Sequence, residues 1–155
     1  MKTKKIKRYL SALLLSPLMC TIGFTNAAET LPKAPYLPLA LAQKVANEAM
    51  KQCSADGYNV SVAIVSRSGV TKVLLRADGA GPHSVGSSTG KAFTSASMGR
   101  STMKLSALIK EKPELEELRE MDERILILGG GLPIKINGDL VGGIGVGGAP
   151  GGHLD

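Results

Sequence analysis

Residues 129–152 read GGGLPIKINGDLVGGIGVGGAPGG, and this glycine-rich stretch decides how the chain folds. Eleven of the nineteen glycines lie after Leu128, where they follow the apolar run ILIL at 125–128 and interrupt the run LVGGIGV at 140–146. Both runs otherwise have the composition of strands, and glycine inside a strand marks a bend or a place where another backbone approaches closely. We therefore interpret these glycines as structural positions and not as a disordered linker.

Turn signals on both sides of the chain's middle predict hairpins. The pair Asn137-Gly138 joins the runs 132–136 and 140–146, and Asn-Gly is among the strongest short-range hairpin signals. Upstream, residues 60–65 and 70–76 alternate in character around the turn at 67–69 and predict another hairpin. With 125–128 counted as a strand, the sequence predicts five strands.

Apolar spacing predicts four helices. The first begins near Pro38 and ends at Gly57, and its face Leu41, Val45, Ala49 and Cys53 repeats every four residues, so Cys53 points towards the core. Pro82 suits the start of a second helix that runs to about Met98, with the packed stripe Val85, Thr89, Ala92 and Ala96. Shorter helices are predicted at 101–110 and 113–121.

The first 28 residues have the character of a secretory signal peptide. A basic start, MKTKKIKRY, precedes an apolar run to Phe24 that is too short and too interrupted to span a membrane comfortably, and small residues follow it. We expect an extended arm at 29–37, where prolines disfavour helix, and one domain at 38–155. The predicted location is periplasmic or secreted, without a stable membrane anchor.

Charge excludes one class of partner. Residues 1–28 contain five of the 19 basic residues and none of the 13 acidic ones, so the processed chain has 14 basic residues and a net charge of +1. Such a balance, with no Lys/Arg-rich face, gives no electrostatic reason to expect nucleic acid. The whole chain has two Phe, three Tyr and no Trp, and so few aromatic residues favour burial of further surface by self-association.

Two glycine motifs resemble nucleotide-binding loops without meeting their requirements. Gly143, Gly145 and Gly148 match G-x-G-x-x-G, but the chain ends too soon afterwards for the helix and acidic residue of a dinucleotide site. Residues 88–92, STGKA, lack the hydroxyl that holds magnesium in a phosphate loop. We interpret both matches as accidental.

His83 is the main candidate for ligand binding. It follows the Gly79–Gly81 loop at a helix start, where unpaired N–H groups attract anions and an imidazole can reach a metal. No Cys, Asp or His cage surrounds it in sequence, although haem needs only one or two axial ligands. The alternative is a surface histidine beside a proline.

Five more residues around the second helix are candidates for binding a cofactor. Arg76, Lys91 and Arg100 are cations that could pair with carboxylates such as haem propionates, or could form a solvated face. Phe93 and Met98 could supply an apolar wall, or in Met98 a thioether ligand, but both also fit a core. No catalytic residue can be assigned.

The strings SVAIVSRSG, DGAG, KAFTSAS, GGGLPI and GGAPGG occur in the order and with the spacing of the haem-binding and haem-degrading family named for GlcG and HbpS, which the chain resembles from about Leu39 to Asp155. The resemblance implies an α/β (α+β) profilin-like domain, with a five-stranded antiparallel sheet flanked by helices, in a higher homo-oligomer. Secreted relatives commonly continue past GGHLD to a cysteine, so Cys53 is expected to be free here.

By this resemblance the chain is an exported haem-binding protein involved in haem or iron handling or in haem degradation. His83 would be the axial iron ligand, and Arg76, Lys91, Phe93, Met98 and Arg100 would contact the haem. Two alternatives stay open. One is an accessory binder of a small hydroxy acid or another carboxylate metabolite, held by glycine-rich N–H groups and an arginine, and the other is a purely structural oligomer.

Overall fold

The computed structural model describes residues 33–155, so the predicted signal peptide at 1–28 and the first part of the predicted arm lie outside the described residues. Residues 33–38 have no regular secondary structure and lead into the first helix, as expected for an arm. The elements are α1 (Leu39–Ala55), β1 (Ser61–Ser66), β2 (Thr71–Arg76), α2 (His83–Met98), α3 (Thr102–Glu111), a 3₁₀-helix (Pro113–Glu120), β3 (Gly131–Ile136) and β4 (Asp139–Gly147).

The strands form an antiparallel sheet in the order β2-β1-β4-β3. Both predicted hairpins are present, and β1 and β4 pair centrally to join them. Asn137 and Gly138 both have positive φ, 51° and 91°, as the tight turn between β3 and β4 requires. The strand β1 is buried on both faces, because its alternate residues pack against different helices.

One face of the sheet is covered by α1. Ala42, Ala46 and Cys53 of this helix share a buried cluster with Val62 and Ile64 of β1. Leu41, Val45 and Ala49 pack partly buried against the same cluster, so the predicted four-residue stripe is confirmed. Cys53 is 8% exposed and is a free thiol, as predicted.

The other face is covered by α2, which lies unusually close to β4. A Cβ placed on Gly143 or Gly145 would collide with the backbone of α2 at Ala92, and one on Gly147 would collide with Ser87. Ser84, Ser88 and Ser95 are buried on the sheet side of the helix. The glycines of β4 therefore form the flat surface on which a small-residue helix packs. Of the predicted stripe, Ala92 and Ala96 are buried against β1, whereas Val85 and Thr89 are only partly buried.

The predicted fifth strand at 125–128 is wrong: within residues 33–155 the sheet has four strands. The N–H of Leu126 donates to Thr94 Oγ1 of α2 at 2.8 Å instead of to a neighbouring strand. Gly90 leaves room for this crossing, since a Cβ placed there would lie 2.9 Å from Leu126 Cβ. Because α2 already occupies that face of the sheet, the apolar run packs over the helix as an outer layer.

The shorter helices complete this outer layer. Ser101 caps α3, with its side chain accepting the N–H of Lys104, and the predicted helix at 113–121 is a 3₁₀-helix. We call residues 122–128, which cross over α2, the outer segment. Ile127 of this segment is buried against Leu105 and Ile109 of α3. Among the described helices none is long and apolar enough to cross a bilayer.

Candidate functional site

A cleft of about 400 Å³ lies beside α2, where the helix meets the β1–β2 hairpin and the segment 123–126. Its walls come from α2, from the turn between β1 and β2, and from the segment 123–126. The residues used below are Gly69, Gly86, Gly90, Phe93, Arg124 and Leu126, and we call this site the Phe93 cleft. The volume lies within the range of small-molecule pockets.

Helical spacing explains why α2 can line this cleft. Gly86, Gly90 and Phe93 are separated by four and three residues, so they share one face of the helix. Gly86 has nothing within 4 Å of the position where a Cβ would lie, so the helix backbone is open there. Phe93 is only 7% exposed, because it packs against Ala63 and Val65 of β1 and is covered by Arg124. The result is an apolar wall beside an open stretch of helix.

Arg124 forms the rim of the cleft. Its guanidinium carbon lies 4.0 Å from the centre of the Phe93 ring, within the range of a cation–π contact. Asp122 holds the guanidinium in place, accepting from Nε at 2.9 Å and from Nη2 at 2.7 Å. The side-chain hydrogen bond from Arg124, followed by the bond from its backbone N–H, lowers the pKa of Asp122 to about 2. The rim is therefore a fixed charged pair.

His83 lies at the other end of the same helix face. It is the first residue of α2 and precedes Gly86 by three residues, so its side chain starts from the face that lines the Phe93 cleft. Ten residues separate it from Phe93, or about 15 Å along the axis. The imidazole is exposed and rests on Gly81, where an added Cβ would lie 2.6 Å from its Cε1.

The loop before His83 is fixed from both sides. Arg76 donates from Nη2 to the carbonyl of Ala80. Ser84 donates from Oγ to the carbonyl of Gly81 at 2.6 Å and also shares a hydrogen bond with Ser61 Oγ at 2.8 Å. Arg76 therefore holds the loop in position, and His83 is presented on a rigid helix start.

Lys91 points away from the cleft and into the protein. Its ammonium group donates to Asp155 Oδ2 at 2.5 Å and to the carbonyl of Val146 at 2.9 Å. The side chains of Lys91 and Asp155 are 4% and 5% exposed. The contact with a haem carboxylate predicted for Lys91 remains a prediction, and in this structure the ammonium group is engaged with Asp155.

The last two predicted residues also lie away from the cleft. Arg100 is exposed beyond the C-terminal end of α2 and lines a separate depression with Lys104 and Lys135. Met98 is partly buried and packs against the cluster formed by Leu105, Ile109 and Ile127. The structure thus brings His83 and Phe93 onto one helix face and places Lys91, Met98 and Arg100 elsewhere.

Sequence reasoning missed Arg124, Gly86 and Leu126. Arg124 lies in the acidic run 120–124 and reaches Phe93 across 31 positions of sequence, so no local pattern marks it. Gly86 could have been identified from the sequence, since an isolated glycine inside a predicted helix can mark a close approach of another backbone or an open site. Leu126 was assigned to a strand, which hid its role as a wall.

These residues fit a porphyrin better than a bare metal ion. In the part of the chain that the structure describes, no three His, Cys, Asp or Glu side chains converge on one point, so a metal held by protein ligands alone has no cage there. A haem needs one axial donor, apolar surface for the ring and cations for its carboxylates. His83, the wall of Phe93 and Leu126, and the rim cation Arg124 match those three requirements.

Solved structures share this fold. A double-mutant form of HbpS from Streptomyces reticuli is 42% identical, with a TM-score of 0.75 over 81% of this chain and 83% of that chain. The PduOC:heme complex is 24% identical, with a TM-score of 0.70 over 77% of this chain and 88% of that one, and this likeness shows the fold alone.

Proteins related in sequence also match most of this domain. An uncharacterized 15.0 kDa protein of Citrobacter freundii, encoded in the dhaT–dhaS intergenic region, is 30% identical over 113 residues, which are 72% of this chain and 80% of that protein. The family model described as "Haem degrading protein HbpS-like" matches residues 37–155, which is the whole of the folded domain. The chain therefore belongs to the HbpS-like family.

Proposed function

We propose that this protein is exported and binds haem along the outer face of α2, with His83 as the axial ligand of the iron. The observation that carries the proposal is the shared helix face: the exposed imidazole of His83 and the apolar wall at Phe93 lie about 15 Å apart along α2, and Gly86 and Gly90, which have no side chain, lie between them on that face. Membership of the HbpS-like family and the haem complex formed by a protein of the same fold support it.

The bound iron porphyrin would supply a redox-active metal, and the chain would supply its surroundings. His83 is held by the rigid loop and by its packing on Gly81, which limits where its ring can point. Phe93 and Leu126 exclude water from one edge of the ligand. Nothing in the described residues identifies an electron donor site or a proton relay, so the proposal is binding and handling of haem, without an assigned catalytic step.

Export and assembly are part of the proposal. Export rests on the sequence of residues 1–28, and a higher homo-oligomer is supported by exposed apolar residues on both edge strands of the sheet. Leu74 of β2 is 43% exposed and Leu132 of β3 is 56% exposed. Association through such faces would bury surface that a chain with so few aromatic residues leaves exposed.

Titration of haemin into the protein purified from cells that express the full chain tests the binding proposal. We expect a shifted Soret band in the wild type and an affinity at least about tenfold lower, or about 1.4 kcal/mol, in His83→Ala. His153→Ala is the matched control, because His153 is also exposed and also rests on a glycine, Gly151. Equal binding by the wild type and His83→Ala would overturn His83 as the ligand.

The same titration separates the alternatives. A carboxylate metabolite in the Phe93 cleft is the second candidate, favoured by the position of Arg124 over an apolar wall. In that case haemin gives no Soret shift, while a short hydroxy acid raises the melting temperature of the protein. A structural oligomer would respond to neither ligand.

A further inference from the structure

We propose that Arg124 binds a carboxylate of the ligand in the Phe93 cleft, and that Asp122 positions it for this task. The ligand class is a planar apolar ring that bears a carboxylate, such as a porphyrin with free propionates. This inference rests on the proposed function, since it assumes that the ligand ring lies against Phe93. It adds a residue outside the set predicted from sequence.

The hydrogen bonds of Arg124 leave one side of the guanidinium available. A guanidinium has five N–H donors, and Asp122 uses one on Nε and one on Nη2. Nη1 makes no hydrogen bond among the described residues and lies 3.8 Å from the position of a Cβ on Gly69, on the cleft side. The remaining donors, two on Nη1 and one on Nη2, suit a second carboxylate in a bidentate contact. Ligand binding therefore needs no break in the pair with Asp122.

The position of the guanidinium over Phe93 gives the contact its specificity. The guanidinium carbon of Arg124 lies 4.0 Å from the centre of the Phe93 ring. A ligand ring that packs beside Phe93 therefore places its carboxylate near the free N–H groups of Arg124. Asp122 and the ring together fix the guanidinium before a ligand arrives, which lowers the ordering cost of binding. A neutral ring of the same shape gains the apolar wall but not the ionic contact.

Glu123 is the charge that opposes a carboxylate at this rim. It is exposed and also lines the cleft, beside the pair formed by Asp122 and Arg124. A like charge at close range weakens the binding of an anion. Removal of this carboxylate should therefore strengthen the binding of an acidic ligand and leave a neutral ligand unaffected, which gives the proposal a second electrostatic test.

The experiment compares metal-free protoporphyrin IX with its dimethyl ester, using porphyrin fluorescence to measure the dissociation constant. We expect the wild type to prefer the diacid and Arg124→Gln to bind it roughly 10- to 100-fold more weakly, because a charge-assisted hydrogen bond is lost. Affinity for the ester should not change. Glu123→Gln should bind the diacid severalfold more tightly, and Arg100→Gln, a cation in the separate depression, is the matched control.

Three results would overturn this role of Arg124: no porphyrin binding, equal affinity of the wild type for diacid and ester, or an unchanged preference in Arg124→Gln. Because the probe contains no iron, its binding does not require ligation by His83. If haemin binding is independent of His83 while the diacid preference depends on Arg124, the axial ligand is wrong and the carboxylate contact stands. If haemin binding depends on His83 while the diacid preference does not depend on Arg124, His83 stands as the axial ligand and the carboxylate contact of Arg124 is wrong.

Discussion

Lys91 Nζ lies 2.5 Å from Asp155 Oδ2, and this ion pair joins the middle of α2 to the end of the chain across 64 positions of sequence. The other carboxylate oxygen accepts the N–H of Ala149 at 2.8 Å, so the side chain of Asp155 joins the two ends of the segment 149–155. The tail also touches the segment just before β3, where a Cβ on Gly129 would lie 2.7 Å from the carbonyl oxygen of Gly152. The buried ammonium group of Lys91 therefore holds the C-terminal segment 149–155 against α2.

Asp155→Ala should lower the free energy of unfolding by about 3–5 kcal/mol, because it leaves a buried ammonium without its partner. Urea denaturation monitored by circular dichroism measures the loss. The double variant Lys91→Met/Asp155→Ala should recover part of it, since no charge then remains buried. The single variant Lys91→Met completes the comparison. If the losses of stability in Lys91→Met and Asp155→Ala add up to the loss in the double variant, the two side chains are not coupled as the structure indicates.

Gly145→Ala should destabilise the fold by about 3 kcal/mol, at the upper end for overpacking, because the new methyl group meets the backbone of α2. Gly86→Ala is the matched control in a place with open space. It should stabilise the protein by about 0.5–1 kcal/mol, as expected for alanine replacing glycine inside a helix. Thermal unfolding of both variants tests the close approach of β4 and α2, and similar melting temperatures would contradict it.

Thr94→Val should lower the free energy of unfolding by about 1–3 kcal/mol, because the partly buried N–H of Leu126 loses its acceptor. Thr94→Ser keeps the hydroxyl and should retain most of the stability. The adjacent Ser95 provides a contrasting control, since its hydroxyl is buried and has no partner among the described residues, so Ser95→Ala should be neutral or stabilising. A loss in Ser95→Ala as large as in Thr94→Val would show that the outer segment is not held by the threonine.

The carboxyl of Asp122 should titrate near pH 2, and its pKa should move up towards the ordinary value of about 4 in Arg124→Gln. The pKa is lowered in the folded state, so the stabilising contribution is present above about pH 4 and is lost as the pH falls through 2. Carbon-detected NMR of the side-chain carboxyl measures the midpoint. Arg119→Gln, which removes another arginine, should leave it unchanged.

The Cys53 thiol should react slowly with Ellman's reagent in the folded protein. Burial raises its pKa, and the nearby carboxylates of Asp155 and Asp56 raise it further, so little thiolate forms at neutral pH. In a Cys20→Ser background, unfolding in urea should bring the rate to that of an exposed thiol. A fast reaction in native buffer would show that Cys53 is accessible.

Local sequence signals correctly predicted the elements whose stability is local. The four-residue spacing from Leu41 to Cys53 predicted the buried face of α1, and Asn137-Gly138 predicted the turn between β3 and β4, because both signals depend on neighbouring residues alone. The run at 125–128 misled because a short apolar segment suits either a strand or a buried coil. Its partner, Thr94, lies 32 residues away, and no local pattern indicates that distance.

The residues of the candidate site also divide into those that a local sequence pattern indicates and those that depend on distant contacts. His83 at a helix start and Phe93 on the same helix were identifiable from sequence, because periodicity along a single helix sets their common face. The haem contact of Lys91 stays a prediction, and its burial beside Asp155 is visible only in the fold. Arg124 was missed because its contact with Phe93 depends on how the outer segment crosses α2.

The sequence by itself determined the family, through strings that resemble its members, and also both hairpins, the first two helices and the glycines that let two backbones meet, because these follow from residue types at short spacing. Only the tertiary structure decided which side of α2 meets the sheet, where the ILIL run lies, and which cations face the Phe93 cleft. Those outcomes depend on contacts between distant segments, in which the glycine surface of β4 packs against the serine face of α2 and leaves Gly86, Gly90 and Phe93 to line the cleft.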